Sequence, residues 1–178
     1  MKGILTLIAL ALLVAAPATG GKVMEEAEIQ KAHRYFAVEL NNTTWGLMDR
    51  AAELGPEELD RLIDRAHASL FHWSVVGERV NIARGQHLVS HAYATAKRGD
   101  EALHHASRCL AICEEEGYGD WDLAFALEAM ALAHAVIGDE KQRDAFLARA
   151  KEAGEAIAGK EDKEIFFSEL KKVPGYQD

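Results

Sequence analysis

Between residues 84 and 113, apolar and small side chains recur at steps of three and four, as expected for two successive amphipathic helices. The first stripe includes Leu88 and Ala92. The second is made of small residues, namely Ala102, Ala106 and Cys109. Small side chains at this spacing let two helix backbones approach closely, so the pattern predicts an antiparallel helix pair.

A short polar segment, Lys97-Arg98-Gly99-Asp100, separates the two stripes. Basic residues suit the C-terminus of a helix, and glycine tolerates the positive φ that often follows it. We therefore expect Gly99 to make the turn and Asp100 to cap the second helix.

The same spacing recurs on both sides of this pair. Leu62, Ala66 and Ser69 precede the three small positions by 40 residues, and Ala150 follows Cys109 by 41. Helices are predicted over residues 27–54, 56–76, 121–137, 140–157 and 161–172, with a bend at the unfavourable segment 41–44. The nearly all-apolar segment 121–137 is expected to be central.

The last predicted helix carries Ile165, Phe166 and Leu170 for packing, and would cover the exposed edge of the final repeat. The predicted fold class is all-α: an antiparallel stack of helix hairpins with about seven helices, including a C-terminal capping helix. Residues 24–178 would form this one domain.

The pattern resembles the tetratricopeptide repeat, with Tyr93 as the late aromatic of a first helix and Ala102, Ala106 and Cys109 as the small positions of a second. From about His33 to the C-terminus the chain is also similar to a group of bacterial tetratricopeptide-like proteins of unassigned function. The resemblance implies a right-handed α-solenoid that binds a protein or peptide in its concave groove. The family's Trp-Leu-Gly start is absent, and Lys97 stands at its usual turn glycine.

Composition and motifs limit the classes of function that this sequence favours. The chain has 178 residues and a formal net charge of −9, without the clustered basic residues that nucleic-acid binding requires. No nucleophile elbow, phosphate loop or dinucleotide fingerprint is present, so we predict a protein that is not an enzyme and has no cofactor. Cys109 and Cys113 are expected to be buried thiols that act as small apolar residues.

Residues 1–18 have the features of a secretory signal peptide: Lys2, an apolar run over residues 4–16, and the small-residue pattern Ala16-Pro17-Ala18. The run is shorter than the ~20 residues of a membrane-spanning helix, so no integral span is expected after signal removal. Met24, which opens an acidic helix start, is an alternative beginning of the chain. A signal peptide predicts export to the periplasm or the extracellular space, whereas a start at Met24 predicts a cytoplasmic protein.

The resemblance also predicts where a partner binds, because the first helices of stacked pairs line the concave surface. Arg84 and His87 lie on that stripe with His91 one turn later, at positions i, i+3 and i+7. The peptide-binding candidates are Asn42, Arg84, His87, His91, Phe125 and Glu128, with Trp45 nearby. Arg84 beside Asn42 would hold a carboxylate through charge-assisted hydrogen bonds.

Two alternatives stay open. His87 and His91, four residues apart on one helix, with Glu128 from the next repeat, have the side chains of a metal or enzymatic site. Alternatively, the protein is a structural module that associates with itself through helix faces left uncovered. The sequence does not identify the partner or the oligomeric state.

Overall fold

The computed structural model describes residues 24–177. Within that range the chain forms seven α-helices: α1 (Glu26–Met48), α2 (Pro56–Val76), α3 (Arg79–Thr95), α4 (Gly99–Glu116), α5 (Asp120–Ile137), α6 (Glu140–Glu155) and α7 (Lys160–Leu170). A short 3₁₀ turn, Ala51–Glu53, follows α1. The all-α prediction and the predicted number of helices are confirmed.

The helices pack as three successive hairpins, α1–α2, α3–α4 and α5–α6, followed by α7. The first helices of the hairpins also contact one another in order, so that α3 touches α1 and α5, and α5 touches α7. This arrangement is a stack of hairpins, and it places the first helices side by side.

Small residues mark the close contacts between paired helices, as predicted. Ala66, Ala106 and Ala150 are fully buried in the second helices of the three pairs. In two of these interfaces a serine hydroxyl forms a hydrogen bond with the partner helix. Ser69 donates to the carbonyl of Ala37, and Ser90 donates to the carbonyl of Ala102. These bonds satisfy buried hydroxyl groups where the backbones approach.

The predicted central helix is α5, which has buried residues on most of its circumference, and α7 caps the stack. Phe166 and Leu170 of α7 are fully buried, which confirms the predicted packing of these two side chains. The prediction for Ile165 is wrong: this side chain is 48% exposed. Phe166 packs inward against Gly154 of α6, whose missing side chain makes room for the ring.

α1 continues without a break through residues 41–44 and ends at Met48, whereas the sequence pattern predicted a helix up to residue 54. Thr43 and Thr44 are helical, and their hydroxyls donate to the carbonyls of Glu39 and Leu40, one turn earlier. Such bonds turn the hydroxyls back onto the helix itself. Local propensity alone therefore misjudged this segment.

The turn between α3 and α4 also differs from the expectation. Lys97 has a φ of 61°, so it adopts the left-handed conformation that was assigned to Gly99. Gly99 begins α4, and a Cβ there would lie 2.7 Å from Cγ1 of Ile137. The glycine is therefore needed for close approach to α5. Asp100 lies in the first turn of α4, one residue inside the helix, and is not its cap.

The predicted signal peptide over residues 1–18 lies outside the described part of the chain, as do residues 19–23. Of the helices in residues 24–177, none combines the length and the apolar character needed to cross a lipid bilayer.

Candidate functional site

The first helices of the hairpins enclose a pocket of about 410 Å³, closed at one end by α7. We call it the inner pocket; it is lined by Asn41, Trp45, Asp49, Ala83, Arg84, His87, His91, Cys109, Cys113, Trp121, Asp122, Phe125, Ile165 and Glu169. Most of these residues belong to α1, α3, α5 and α7. The pocket therefore lies on the surface that the hairpin stack assigns to its first helices.

Aromatic rings form much of the pocket wall. The ring of Trp45 lies 5.6 Å from that of His87 and 5.2 Å from that of His91, measured between centroids. Phe125 meets His87 edge-on at 5.5 Å and contacts Trp121 at 4.5 Å. Rings at these separations attract one another and hold the wall in one arrangement.

Two histidines of α3 and one glutamate of α5 converge at the base of the wall. Nε2 of His91 lies 2.9 Å from Oε2 of Glu128, and Nε2 of His87 lies 3.4 Å from the same oxygen. The two imidazole centroids are 4.4 Å apart. Glu128 is 1% exposed and does not line the pocket, whereas both histidines do. The carboxylate therefore lies behind the imidazoles.

The pKa values of this cluster follow from its burial and charges. Burial acts to raise the pKa of the Glu128 carboxyl, but its electrostatic interaction with His91 and hydrogen bonds from both histidines outweigh burial and lower that pKa to about 2. Burial, together with the neighbouring His91, lowers the pKa of His87. At neutral pH the cluster thus contains a buried carboxylate beside a neutral His87.

Arg84 is engaged with a residue of the next hairpin. Its Nε and Nη2 donate to the two carboxylate oxygens of Asp122, at 2.7 and 2.9 Å. This bidentate geometry gives the strongest interaction between an arginine and a carboxylate. The hydrogen bond to Asp122 is the main cause that raises the pKa of Arg84. Arg84 therefore has a carboxylate partner within the protein.

The thiols of Cys109 and Cys113 also line the inner pocket, and both are free and buried. Their mutual hydrogen bond is the main cause that raises the pKa of Cys109 and lowers that of Cys113. Cys113 in turn donates to the backbone carbonyl of Asp122 at 3.7 Å. The predicted burial is confirmed, and the thiols additionally form part of the pocket surface.

Of the predicted site residues, Arg84, His87, His91 and Phe125 line the inner pocket. Glu128 lies directly behind them. Asn42 is exposed and does not line the pocket; its neighbour Asn41 does. Because Asn41 and Asn42 are adjacent on α1, their side chains point about 100° apart around the helix.

No protein-family model, curated protein or solved structure significantly matches this chain. The resemblance to tetratricopeptide proteins thus remains a prediction from residue spacing.

Sequence reasoning missed Asp122, Trp121, Ile165 and Glu169 as site residues. Asp122 could have been found from the repeat, because Arg84 and its partner are 38 residues apart, one helical turn less than the offset of 41. His91 and Glu128, 37 residues apart, follow the same rule. Nothing in the sequence pattern indicates that α7 contributes Ile165 and Glu169 to the pocket.

Proposed function

We propose that this protein is a non-enzymatic binding scaffold that takes a short peptide segment of a protein partner into the inner pocket. The observation that carries the proposal is a pocket of about 410 Å³ with a largely aromatic wall, on the side of the stack formed by the first helices. Binding pockets are commonly roughly 300–1,000 Å³ and mostly apolar, with a few polar groups.

The charges at the pocket favour a basic segment with an apolar or aromatic anchor. Two charged residues of the pocket already have a partner of opposite charge. Arg84 pairs with Asp122, and Nζ of Lys172 lies 2.7 Å from Oε2 of Glu169. Asp49, by contrast, takes part in no ion pair within residues 24–177. A ligand cation facing Asp49 would also lie near the indole of Trp45, which favours cations electrostatically. Gripping a ligand carboxylate with Arg84 would require displacing Asp122, so we do not include that interaction.

A defined peptide library tests the proposal. Random heptapeptides displayed on phage would be selected on the full chain, and the enriched peptides would be synthesised and their affinities measured by fluorescence anisotropy. We expect enrichment of an aromatic or aliphatic residue next to lysine or arginine. Ile165→Lys, at the pocket, should weaken binding by at least about tenfold because it repels that cation and blocks the wall.

Val75→Lys is the matched control, because Val75 is an aliphatic helical residue of similar exposure, 42% against 48%, outside the pocket. Circular dichroism should show that both variants retain the fold. Equal weakening by the two substitutions, or failure to enrich any peptide, would contradict the proposal.

A second candidate function, self-association, is favoured by a patch on the first hairpin. Its exposed side chains are Tyr35, Phe36, Phe71 and Val75, with Tyr35 and Phe36 in ring contact at 5.3 Å. Clusters of exposed aromatic residues commonly mark interaction surfaces. The patch lies at the opposite end of the stack from α7.

Sedimentation velocity over a range of protein concentrations tests this candidate. A dimer that forms with rising concentration and is lost in Phe71→Glu supports it. Ile137→Glu, a substitution of another exposed apolar residue outside the patch, is the control. A monomer at every concentration eliminates it.

A further inference from the structure

We propose that His87, His91 and Glu128 form a binding site for a divalent transition-metal ion at the base of the inner pocket. Their ligand atoms, two imidazole nitrogens and one carboxylate oxygen, all lie within 4.8 Å of one another. Both histidines direct Nε2 towards the same oxygen of Glu128. The three donors thus surround one point.

The distances from the carboxylate oxygen to the two imidazole nitrogens are compatible with a shared metal ion as well as with hydrogen bonds. The contact of 3.4 Å between His87 and Glu128 is longer than a normal N–H···O bond. Ligand atoms around a tetrahedral zinc ion lie roughly 3.3 Å apart, since each is ~2.0–2.2 Å from the metal. The separations from Glu128, 2.9 and 3.4 Å, therefore require adjustments of only a few tenths of an ångström.

The ligands are held by rigid elements. His87 and His91 are one turn apart on α3, and Glu128 is buried in α5, a largely enclosed helix. The rings of Trp45 and Phe125 pack against the imidazoles. Such an aromatic surrounding limits solvent access and restricts the ring orientations, both of which favour metal binding.

Other histidine groups of the described chain lack this combination. His33 and His72 approach within 2.9 Å through their Nδ1 atoms, but within residues 24–177 no third histidine, cysteine or acidic side chain lies close enough to complete a metal site with them. A buried anion distinguishes the cluster at Glu128, because it compensates the charge of the ion that it would hold.

The donor set indicates the class of metal. Imidazole nitrogens suit zinc and iron, whereas calcium and magnesium prefer oxygen ligands. Two histidines and one carboxylate occur in sites that keep a coordination position open for water or substrate. Because His87 and His91 line the inner pocket and Glu128 lies behind them, the open position would face the pocket.

Metal titration of the full chain tests the proposal. The purified protein would be stripped with a chelator and titrated with zinc chloride in a calorimeter. We expect one zinc ion per chain. His91→Ala and Glu128→Gln should each weaken binding by at least about tenfold, since even changes to residues that only support metal ligands cost that much.

His72→Ala is the matched control, because it removes one member of the other close histidine pair and leaves the cluster intact. It should bind zinc as the unaltered protein does. The proposal fails if the stripped protein binds no zinc, if His91→Ala binds as tightly as the parent, or if His72→Ala loses the ion.

X-ray absorption of the zinc-loaded unaltered chain gives a readout that needs no variant. Nitrogen and oxygen ligands at ~2.0–2.2 Å with imidazole scattering support the site. Sulfur at ~2.3 Å would overturn it, because the ion would then lie on Cys109 or Cys113 in the same pocket. The probe is the metal ion alone, so the result is independent of whether the pocket also binds a peptide.

Discussion

Nε2 of His91 lies 2.9 Å from Oε2 of Glu128, and this contact joins α3 to α5 across two successive hairpins. The carboxylate is almost completely buried, and within residues 24–177 its hydrogen bonds go to His91 and His87. The pair therefore combines a structural contact between repeats with the base of the inner pocket.

Glu128→Ala should lower the free energy of unfolding by about 3 kcal/mol, because it removes the buried carboxylate that both imidazoles contact and leaves a cavity. Urea denaturation followed by circular dichroism measures the loss. Glu152→Ala, at an exposed position of α6, should change the stability by less than about 0.5 kcal/mol. A double-mutant cycle with His91→Ala should be non-additive. Additive losses would show that the two side chains do not interact.

The Arg84–Asp122 pair should contribute about 1 kcal/mol at low salt, because both of its hydrogen bonds are charge-assisted but Arg84 is exposed. Asp122→Asn should lose this contribution, and the loss should diminish at high salt as the charges are screened. Glu57→Gln breaks a more exposed pair, that with Arg61 at 3.5 Å, and should cost less. A salt-independent loss in Asp122→Asn would mean that charge is not the cause.

Gly154→Ala should destabilise the protein by about 1–3 kcal/mol, because the added Cβ would lie 2.6 Å from Cδ1 of Phe166 and push α7 outward. Gly46→Ala, also within a helix, should instead stabilise by about 0.4–1 kcal/mol, since a Cβ there meets nothing within 4 Å. Thermal denaturation of the two variants measures both effects. Equal shifts in the same direction would contradict the tight contact between α6 and α7.

Folding stability should decrease as the pH falls from 6.5 towards 4, partly through His105. Burial, followed by the nearby His67, His104 and Arg108, lowers the pKa of His105 to about 4. In this interval the unfolded chain binds a proton that the folded chain does not, so acid favours unfolding.

His105→Asn tests this dependence, because the asparagine amide can replace Nδ1 as the donor to Gln86, now at 2.7 Å, but does not titrate. The slope of the unfolding free energy against pH should become shallower between 4 and 6.5. Part of the slope should remain, since burial also lowers the pKa of His67 and of His87. An unchanged slope would exclude His105 as a contributor.

Much of the fold was predictable because its signals are local. Glycines and the Pro56 helix start separate the segments, and α2 begins and ends where the pattern predicts. The errors arose where a distant contact overrides a local preference. Gly99 looked like a turn residue, yet the close approach of Ile137 accounts for it, and Lys97 takes the strained backbone conformation instead.

The candidate site was only partly predictable. Projection of the repeat pattern led to Arg84, His87 and His91, which line the inner pocket. It did not reveal that Asp122 forms an ion pair with the guanidinium of Arg84. It also did not reveal that Ile165 lines the pocket while Phe166 is buried in the core. Which of two adjacent apolar side chains on α7 is buried depends on the angle at which the capping helix docks.

The order of helices and hairpins, and the small residues at their contacts, follow from the sequence alone, because hydrophobic periodicity records which face of each helix is buried. The tertiary structure decided which side chains of the capping helix α7 reach the inner pocket, namely Ile165 and Glu169. Periodicity within a helix carries no information about the vertical register of its neighbour. That register is set by how ridges and grooves of adjacent helices interlock.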